Sequence, residues 1–222
     1  RSPEGKWIGI SGRARVVVYN TEAVSEGDLP KSLAAFTYPR WKGRIGWAPS
    51  NGSFQAMVTA MRVLWGEEET SEWLRDIQAN EPQVYPKNTP IVAAAASGEI
   101  DVGLVNHYYL HRFLQEEGEG FGARNYYLGE GGPGSLVLVA GAGILSTSEN
   151  RENAEKFLRF MLSKVAQQYF VSQTYEYPLV DGVTTPRMLR PLSELNNPEI
   201  DMASLADLES TQRLLREVGI IP

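Results

Sequence analysis

Apolar and polar positions along the chain alternate between two patterns. Short continuous apolar runs are separated by longer stretches in which apolar residues recur every three or four positions. "RVVVYN" (15–20) predicts a buried strand. "SEGDLPKSLAAF" (25–36) predicts a short helix with Ser25 as its cap. "GRIGWA" (43–48) predicts a strand and "PSNGS" (49–53) a turn. "FQAMVTAMRVLWG" (54–66) then predicts an amphipathic helix closed by Gly66. Another helix is expected over "TSEWLRDIQAN" (70–80). In "TPIVAAAASGE" (89–99), Thr89 reads as N-cap, Pro90 as the first helical residue and Gly98 as the stop. "IDVGLV" (100–105) predicts a strand leading into a helix over 107–116, and "GSLVLVAGAGIL" (134–145) a long buried strand. The stretch 149–173 predicts one long helix or two short ones, "EYPLV" an extended segment, and "STQRLLREVGI" a last amphipathic helix. Strands alternating with helices argue an α/β protein with a mostly parallel sheet flanked by helices.

The length of 222 residues suits one large domain or two smaller lobes. A net charge of −6 argues against a nucleic-acid footprint. No apolar run is long enough to suggest a membrane span. Cysteine is absent, which removes disulfides, thiolate metal sites and a cysteine nucleophile. The glycine-rich stretch 118–135 reads as a loop. It carries no GxGxxG between a strand and a helix, and no Walker A pattern, so nucleotide binding lacks support. No GxSxG elbow, HExxH or Ser/His/Asp arrangement appears, which argues against an enzyme. Glu99 and Asp101, the one carboxylate pair worth weighing, are expected to face solvent.

Three junctions that lead into helices carry small polar residues. They are Asn51, Gly52 and Ser53 in the first, Asn88 in the second and Asn106 in the third. Helix starts offer free N–H groups and a partial positive charge, so three converging starts would form an anion pocket. Taken singly, each junction is by default only a cap or turn, since Asn, Ser, Gly and Thr are the usual residues there. Beyond Asn106 stand two adjacent tyrosines, Tyr108 and Tyr109. One reading is packing, split between core and surface. The other is a pair of phenolate ligands. A free phenol with a pKa near 10 is neutral at pH 7. A hard trivalent cation supplies the field that removes the proton, and hard oxygen donors suit ferric iron. Two phenolates plus a small anion held in that pocket would neutralise much of the 3+ charge. His107 and His111, the only histidines, are spaced for one helix face, where a solvated face is the ordinary expectation.

At these residues the chain resembles the ferric-ion-binding proteins of bacterial ABC iron importers. The resemblance is carried by "SGRARVVVYN" (11–20), "WKGRIGWAPSNGSF" (41–54), "YPKNTPIVAAAASGEIDVGLVNHYY" (85–109), "PGSLVLVAGAGIL" (133–145), "NAEKFLRFML" (153–162) and "YEYPL" (175–179). It runs over essentially the whole chain, and Asn-x-Tyr-Tyr after "GEID" is its most specific element. It implies a two-lobed periplasmic binding protein of class II that closes about hinge strands and hands its cargo to an inner-membrane ABC permease. The implied cargo is Fe3+ with phosphate, carbonate or a similar anion. Tyr108 and Tyr109 match the phenolate ligands. Asn51, Gly52, Ser53, Asn88 and Asn106 match the anion site of phosphate-using members, though Asn51 stands where that pattern has Ser. Arg15 and Arg13 are further anion candidates, by likeness to members that hold carbonate with an arginine of the first hinge strand. Phe54 stands where some members have a further tyrosine. His107 replaces what is often Asn.

The resemblance also implies a domain plan. Residues 1–18 form a hinge-crossing segment, 19–138 the C-terminal lobe, 139–189 a segment of the N-terminal lobe, and 190–222 a helical return to the C-terminal lobe. Family members carry further chain before "GKWIGISGR", so an N-terminally truncated chain is expected, one complete lobe plus part of the other. Such a chain lacks the other-lobe ligands and would bind iron weakly alone. It would also expose surfaces that favour self-association. The implied location is periplasmic or extracytoplasmic, with a lipid anchor an open alternative. A second reading keeps the fold and makes the cargo another anionic solute or a ferric chelate, the tyrosines stacking rather than ligating.

Overall fold

The computed structural model describes Ser2 and residues 4–222. Arg1 and Pro3, in the segment 1–18 assigned above to a hinge crossing, lie outside the described residues. The chain forms two compact units. The first takes the chain up to Arg13 together with Val137–Leu195, the second Ala14–Leu136 and Asn196–Pro222.

Strand β1 (Ile8–Asn20) contributes to both units. In the second unit its valine run is buried on both faces. Successive side chains of a strand point to opposite sides. Val17 and Tyr19 accordingly join one apolar cluster, with Trp41, Phe54 and Leu74, while Val16 and Val18 join another, with Ile91, Ile100 and Leu110. This is why "RVVVYN" reads as a continuous apolar run rather than an alternating one.

The second unit continues through β2 (Ile45–Trp47), α1 (Gly52–Trp65), α2 (Glu67–Ala79), β3 (Gln83–Val84), α3 (Asn88–Ser97), β4 (Val102–Asn106), α4 (Tyr108–Glu117) and β5 (Ala123–Tyr126). Its sheet runs β3-β2-β4-β1-β5. The parallel part expected from the βα repeats is β3-β2-β4, while β1 pairs antiparallel with both β4 and β5. Gly46 and Gly103 stand opposite each other in the β2/β4 ladder. A Cβ on Gly103 would fall 2.2 Å from Ile91 Cγ2, and one on Gly46 would fall 2.4 Å from Ile100 Cδ1. The paired glycines therefore make a slot that lets Ile91 of α3 lie against the sheet backbone. The first turn of α3, with Asn88, is set by that fit.

Several expectations are corrected. Residues 25–36 form no α-helix but short 3-10 turns at Glu26–Asp28 and Ala34–Thr37, followed by another at Pro39–Trp41. Pro30 is the reason: it disfavours helical backbone at Leu29, which is extended at ψ 135°. Helix α2 starts at Glu67 rather than Thr70, with three glutamates in its first turn favoured by the helix dipole. Helix α3 starts at Asn88, with Lys87 and not Thr89 in the cap position. The glycine-rich stretch 118–135 is not all loop, because β5 lies within it. The region 149–173 takes the second of its two expected forms, two short helices.

In the first unit, β6 (Val137–Ala142) pairs with β1. Helices α5 (Arg151–Met161) and α6 (Lys164–Thr174) follow, broken at Ser163, whose side chain accepts the Ala166 N–H. The short β7 (Tyr177–Pro178) pairs antiparallel with β1 at Ser11 and Gly12. Gln167 is fully buried and ties these parts together. Its Nε2 donates to the carbonyls of Ile10 and Met161, and its Oε1 accepts the Leu179 N–H. Helix α5 buries none of its residues, and Phe157 and Phe160 are 59% and 54% exposed. Helix α7 (Leu208–Glu217) returns to the second unit, where Thr211 and Thr59 of α1 share a hydrogen bond at 2.8 Å. Among the described residues no helix is long and apolar enough to cross a membrane.

Candidate anion and metal site

Arg15 lies in the strand β1, opposite Asn106 of β4, and is 1% exposed. Its Nη1 donates to Asn106 Oδ1 and to Ser53 Oγ, each at 3.1 Å. Nε and Nη2 are buried with no hydrogen-bond partner among the described residues. Burial lowers the guanidinium pKa to about 10, which still leaves the group charged at pH 7. A buried cation with two open donors is costly. It is also what an oxyanion requires, because guanidinium donors lie in one plane and match two oxygens at once.

Ser53 joins the neighbouring groups. Asn51 caps α1 by accepting the Ser53 N–H at 3.0 Å on its Oδ1. The Ser53 hydroxyl donates to the same Oδ1 at 2.7 Å. Its oxygen accepts from Arg15 and, at 3.3 Å, from Asn88 Nδ2. Asn88 is 1% exposed, with its Oδ1 buried and unpaired among the described residues. The structure thus joins Arg15, Asn51, Ser53, Asn88 and Asn106 in one network, with Gly52 as the first residue of α1 between two of them. Arg13 belongs to the first unit. Its Nε is buried without a partner among the described residues.

Helix α4 opens with the tyrosine pair. Tyr108 is buried and Tyr109 half-buried, with ring centroids 4.2 Å apart and planes 30° apart. Tyr109 packs on the cluster that contains Leu110 and Phe121, so the pair also contributes to the core. The guanidinium of Arg112 lies over both rings, 5.5 Å from the Tyr108 centroid and 5.9 Å from that of Tyr109. This cation escaped the sequence reading. The signal for it was its spacing, three and four residues beyond the pair, which returns a helical side chain to the same face. Arg15 had a signal of its own, one charge beside an unbroken apolar run.

The two histidines overturn the expectation of a solvated face. His107 is fully buried and His111 is 4% exposed, with ring centroids 6.2 Å apart. Burial lowers the His111 pKa to about 4. Among the described residues no group of three or more His, Asp or Glu side chains could hold a metal ion. Glu99 is exposed, as expected, and accepts a hydrogen bond from Tyr85, while Asp101 pairs with Arg44.

The chain is similar to known proteins over most of its length. The pattern of the bacterial extracellular solute-binding proteins matches residues 1–200. The major ferric iron-binding protein of Neisseria meningitidis serogroup B is 37% identical over 215 residues, covering 96% of this chain and 65% of that protein. The Fe(3+)-binding periplasmic protein of Serratia marcescens is 33% identical, covering 100% and 65%. The chain therefore spans about two thirds of the length of these relatives. Among solved structures, iron-bound HitA from Pseudomonas aeruginosa superposes with a TM-score of 0.93 at 38% identity, covering 98% of this chain and 71% of the other. A Trichodesmium protein in complex with iron and citrate superposes at 0.88 with 28% identity, covering 100% and 72%. The two-unit α/β fold and the match over 200 of 222 residues agree, and the chain belongs to the bacterial extracellular solute-binding proteins.

Proposed function

We propose that the second unit carries half of a ferric-iron site, in which Tyr108 and Tyr109 ligate Fe3+ as phenolates and a small anion bridges the metal to Arg15. The observation that carries this reading is the buried Arg15 guanidinium, with two donors open, in the network that also holds Ser53, Asn88 and Asn106. The anion accepts from Arg15 Nε and Nη2. Phosphate, carbonate and a carboxylate of citrate all offer two oxygens to such a fork. A trivalent ion removes both phenol protons, and the phenolates and anion neutralise its charge. Support comes from the relatives named above, which are ferric-binding proteins, and from the place of the two phenols, which open α4 two and three residues beyond Asn106 of that network.

In this reading Arg13 is the weaker anion candidate. The protein acts as the extracytoplasmic solute-binding component of an ABC importer, performs no catalysis and passes its cargo to an inner-membrane permease. Hard oxygen sites of this kind take about six donors. Two phenolates and one anion fall short of that number, so this chain alone binds iron weakly. The relatives it matches carry further polypeptide from which the remaining donors can come.

A second reading rests on Arg112. Its guanidinium covers both tyrosine faces, which suits a ferric chelate or another anionic solute stacked on the rings without direct ligation. The visible spectrum, at ferric citrate concentrations high enough to saturate a weak site, separates the two. Phenolate ligation gives a tyrosinate-to-iron charge-transfer band, which disappears when Tyr108→Phe and Tyr109→Phe are combined. A wild type without that band leaves the protein as an anion or chelate binder.

A further inference from the structure

The ladder between β1 and β4 ends in an irregular way next to the tyrosine pair. The register pairs Arg15 with Asn106, so the next pair is Ala14 and His107. In an antiparallel ladder opposite residues alternate between pairs that exchange no N–H···O bond and pairs that exchange both; Arg15, whose N–H donates to the Leu136 carbonyl, is in the first kind, so Ala14 and His107 belong to the second. Here only one is made. The His107 N–H donates to the Ala14 carbonyl at 3.0 Å. The return bond runs from the Ala14 N–H to the imidazole Nδ1 of His107, at 3.1 Å.

The reason is local. His107 has helical backbone angles, φ −57° and ψ −38°, because α4 starts one residue later. Its carbonyl therefore turns along the helix, where Asn125 Nδ2 of β5 donates to it at 2.8 Å. Without the imidazole, the buried Ala14 N–H would lose this acceptor, at the point where β1 enters the second unit. The side chain thus stands in for the backbone, and does so while fully buried with its ring 5.8 Å from that of Tyr108.

We infer that His107 is a positioning residue for the metal-binding tyrosines. It locks the first turn of α4 to the strand that carries Arg15, and so fixes the phenols relative to the anion's guanidinium. The inference rests on the ferric reading above. An acceptor on the atom next to Cγ is what the geometry requires. Asparagine carries Oδ1 at the equivalent branch point, whereas leucine has no acceptor and glutamine carries its own one bond further out.

The test is a ferric citrate titration of the whole protein, read by the charge-transfer band and by apparent affinity, with thermal stability measured alongside. His107→Asn is expected to keep the wild-type band position and affinity. His107→Leu and His107→Gln are expected to shift the band and weaken binding by about tenfold, the equivalent of one buried hydrogen bond. If His107→Leu fails to fold, the comparison of His107→Gln with His107→Asn carries the test. A band in the wild type that is unchanged in position and affinity in the leucine or glutamine variant overturns the positioning role alone. A wild type with no band overturns the ferric reading, and this inference with it.

Discussion

Arg15 and Asn106 meet twice. They are opposite residues of the β1/β4 ladder, and the guanidinium Nη1 also donates to the Asn106 Oδ1 at 3.1 Å. The backbone pairing fixes where the arginine sits, and the side-chain bond fixes which way its fork turns. A strand thereby presents two open donors from inside the fold.

Arg15→Met should separate stability from function. Removing the buried, half-satisfied cation relieves its desolvation but leaves Asn106 Oδ1 without that donor; the two effects, each about 1–3 kcal/mol, oppose one another and the net change should be small. Wild-type protein should gain thermal stability with phosphate, carbonate or citrate, by about 2.7 kcal/mol at a hundredfold excess over Kd. The variant should gain none. Thermal unfolding with and without each anion decides, and an equal shift in both proteins rules out Arg15 as the anion's partner.

Ser53→Ala removes the acceptor shared by Arg15 and Asn88 and the donor to Asn51. Buried donors left unsatisfied cost about 1–3 kcal/mol each. A loss on the order of 2 kcal/mol is expected, together with weaker anion stabilisation. Ser53→Thr keeps the hydroxyl and should restore most of both. Denaturant unfolding of the two variants checks this.

Much of this site could be read in the chain because it is built from local junctions. Asn51, Ser53, Asn88 and Asn106 stand at or beside helix starts, and helix starts have short-range signals. What joins them is not local. Arg15 reaches Ser53 across 38 residues, and Ala14 reaches His107 across 93. No periodicity encodes such a contact. The failed helix at 25–36 has the opposite cause: its apolar spacing was right, but Pro30 decided the backbone. The histidines were misread because i, i+4 spacing defines a face without saying what covers it.

Gly103→Ala should destabilise the second unit through α3. The added Cβ would fall 2.2 Å from Ile91 Cγ2 and 3.2 Å from Val18 Cγ1. Overpacking of this kind costs about 1–3 kcal/mol. Because Ile91 lies in the helix that begins at Asn88, anion stabilisation should fall as well. Combining Gly103→Ala with Ile91→Ala should show a favourable coupling in a double-mutant cycle. Additive losses would mean that the two groups do not meet.

Acid should loosen the attachment of α7 to α1. The Ser210 backbone N–H and then the Arg62 guanidinium hold the Asp207 carboxyl below its ordinary value near 3.9. Folded Asp207 therefore binds fewer protons than unfolded Asp207 as the pH falls through that range. Its contribution is fully present above about pH 4 and is lost as the pH drops through the folded value. Asp207→Asn can still accept from Ser210 but carries no charge for Arg62, whose Nη2 lies 3.1 Å away. The melting temperatures of wild type and variant should differ most at neutral pH and converge in acid. A constant difference from pH 7 to pH 2.5 would assign the effect to packing.

The first unit leads to the last prediction. Helix α5 has apolar residues at Phe157 and Phe160 that stand more than half exposed, and Val165 and Tyr169 of α6 are 74% and 63% exposed. Soluble proteins seldom leave such a group of apolar side chains in water unless another surface covers it. The relatives that this chain matches are about half as long again, so they have polypeptide with which to cover it. The chain by itself is expected to cover it with a second copy. Sedimentation velocity over a range of concentrations should show reversible association, and Phe157→Ser with Phe160→Ser should shift the chain to monomer without changing its helix content. Monomer at every concentration, in wild type and variant alike, would mean that this face is tolerated in water and that the chain's association state is independent of α5.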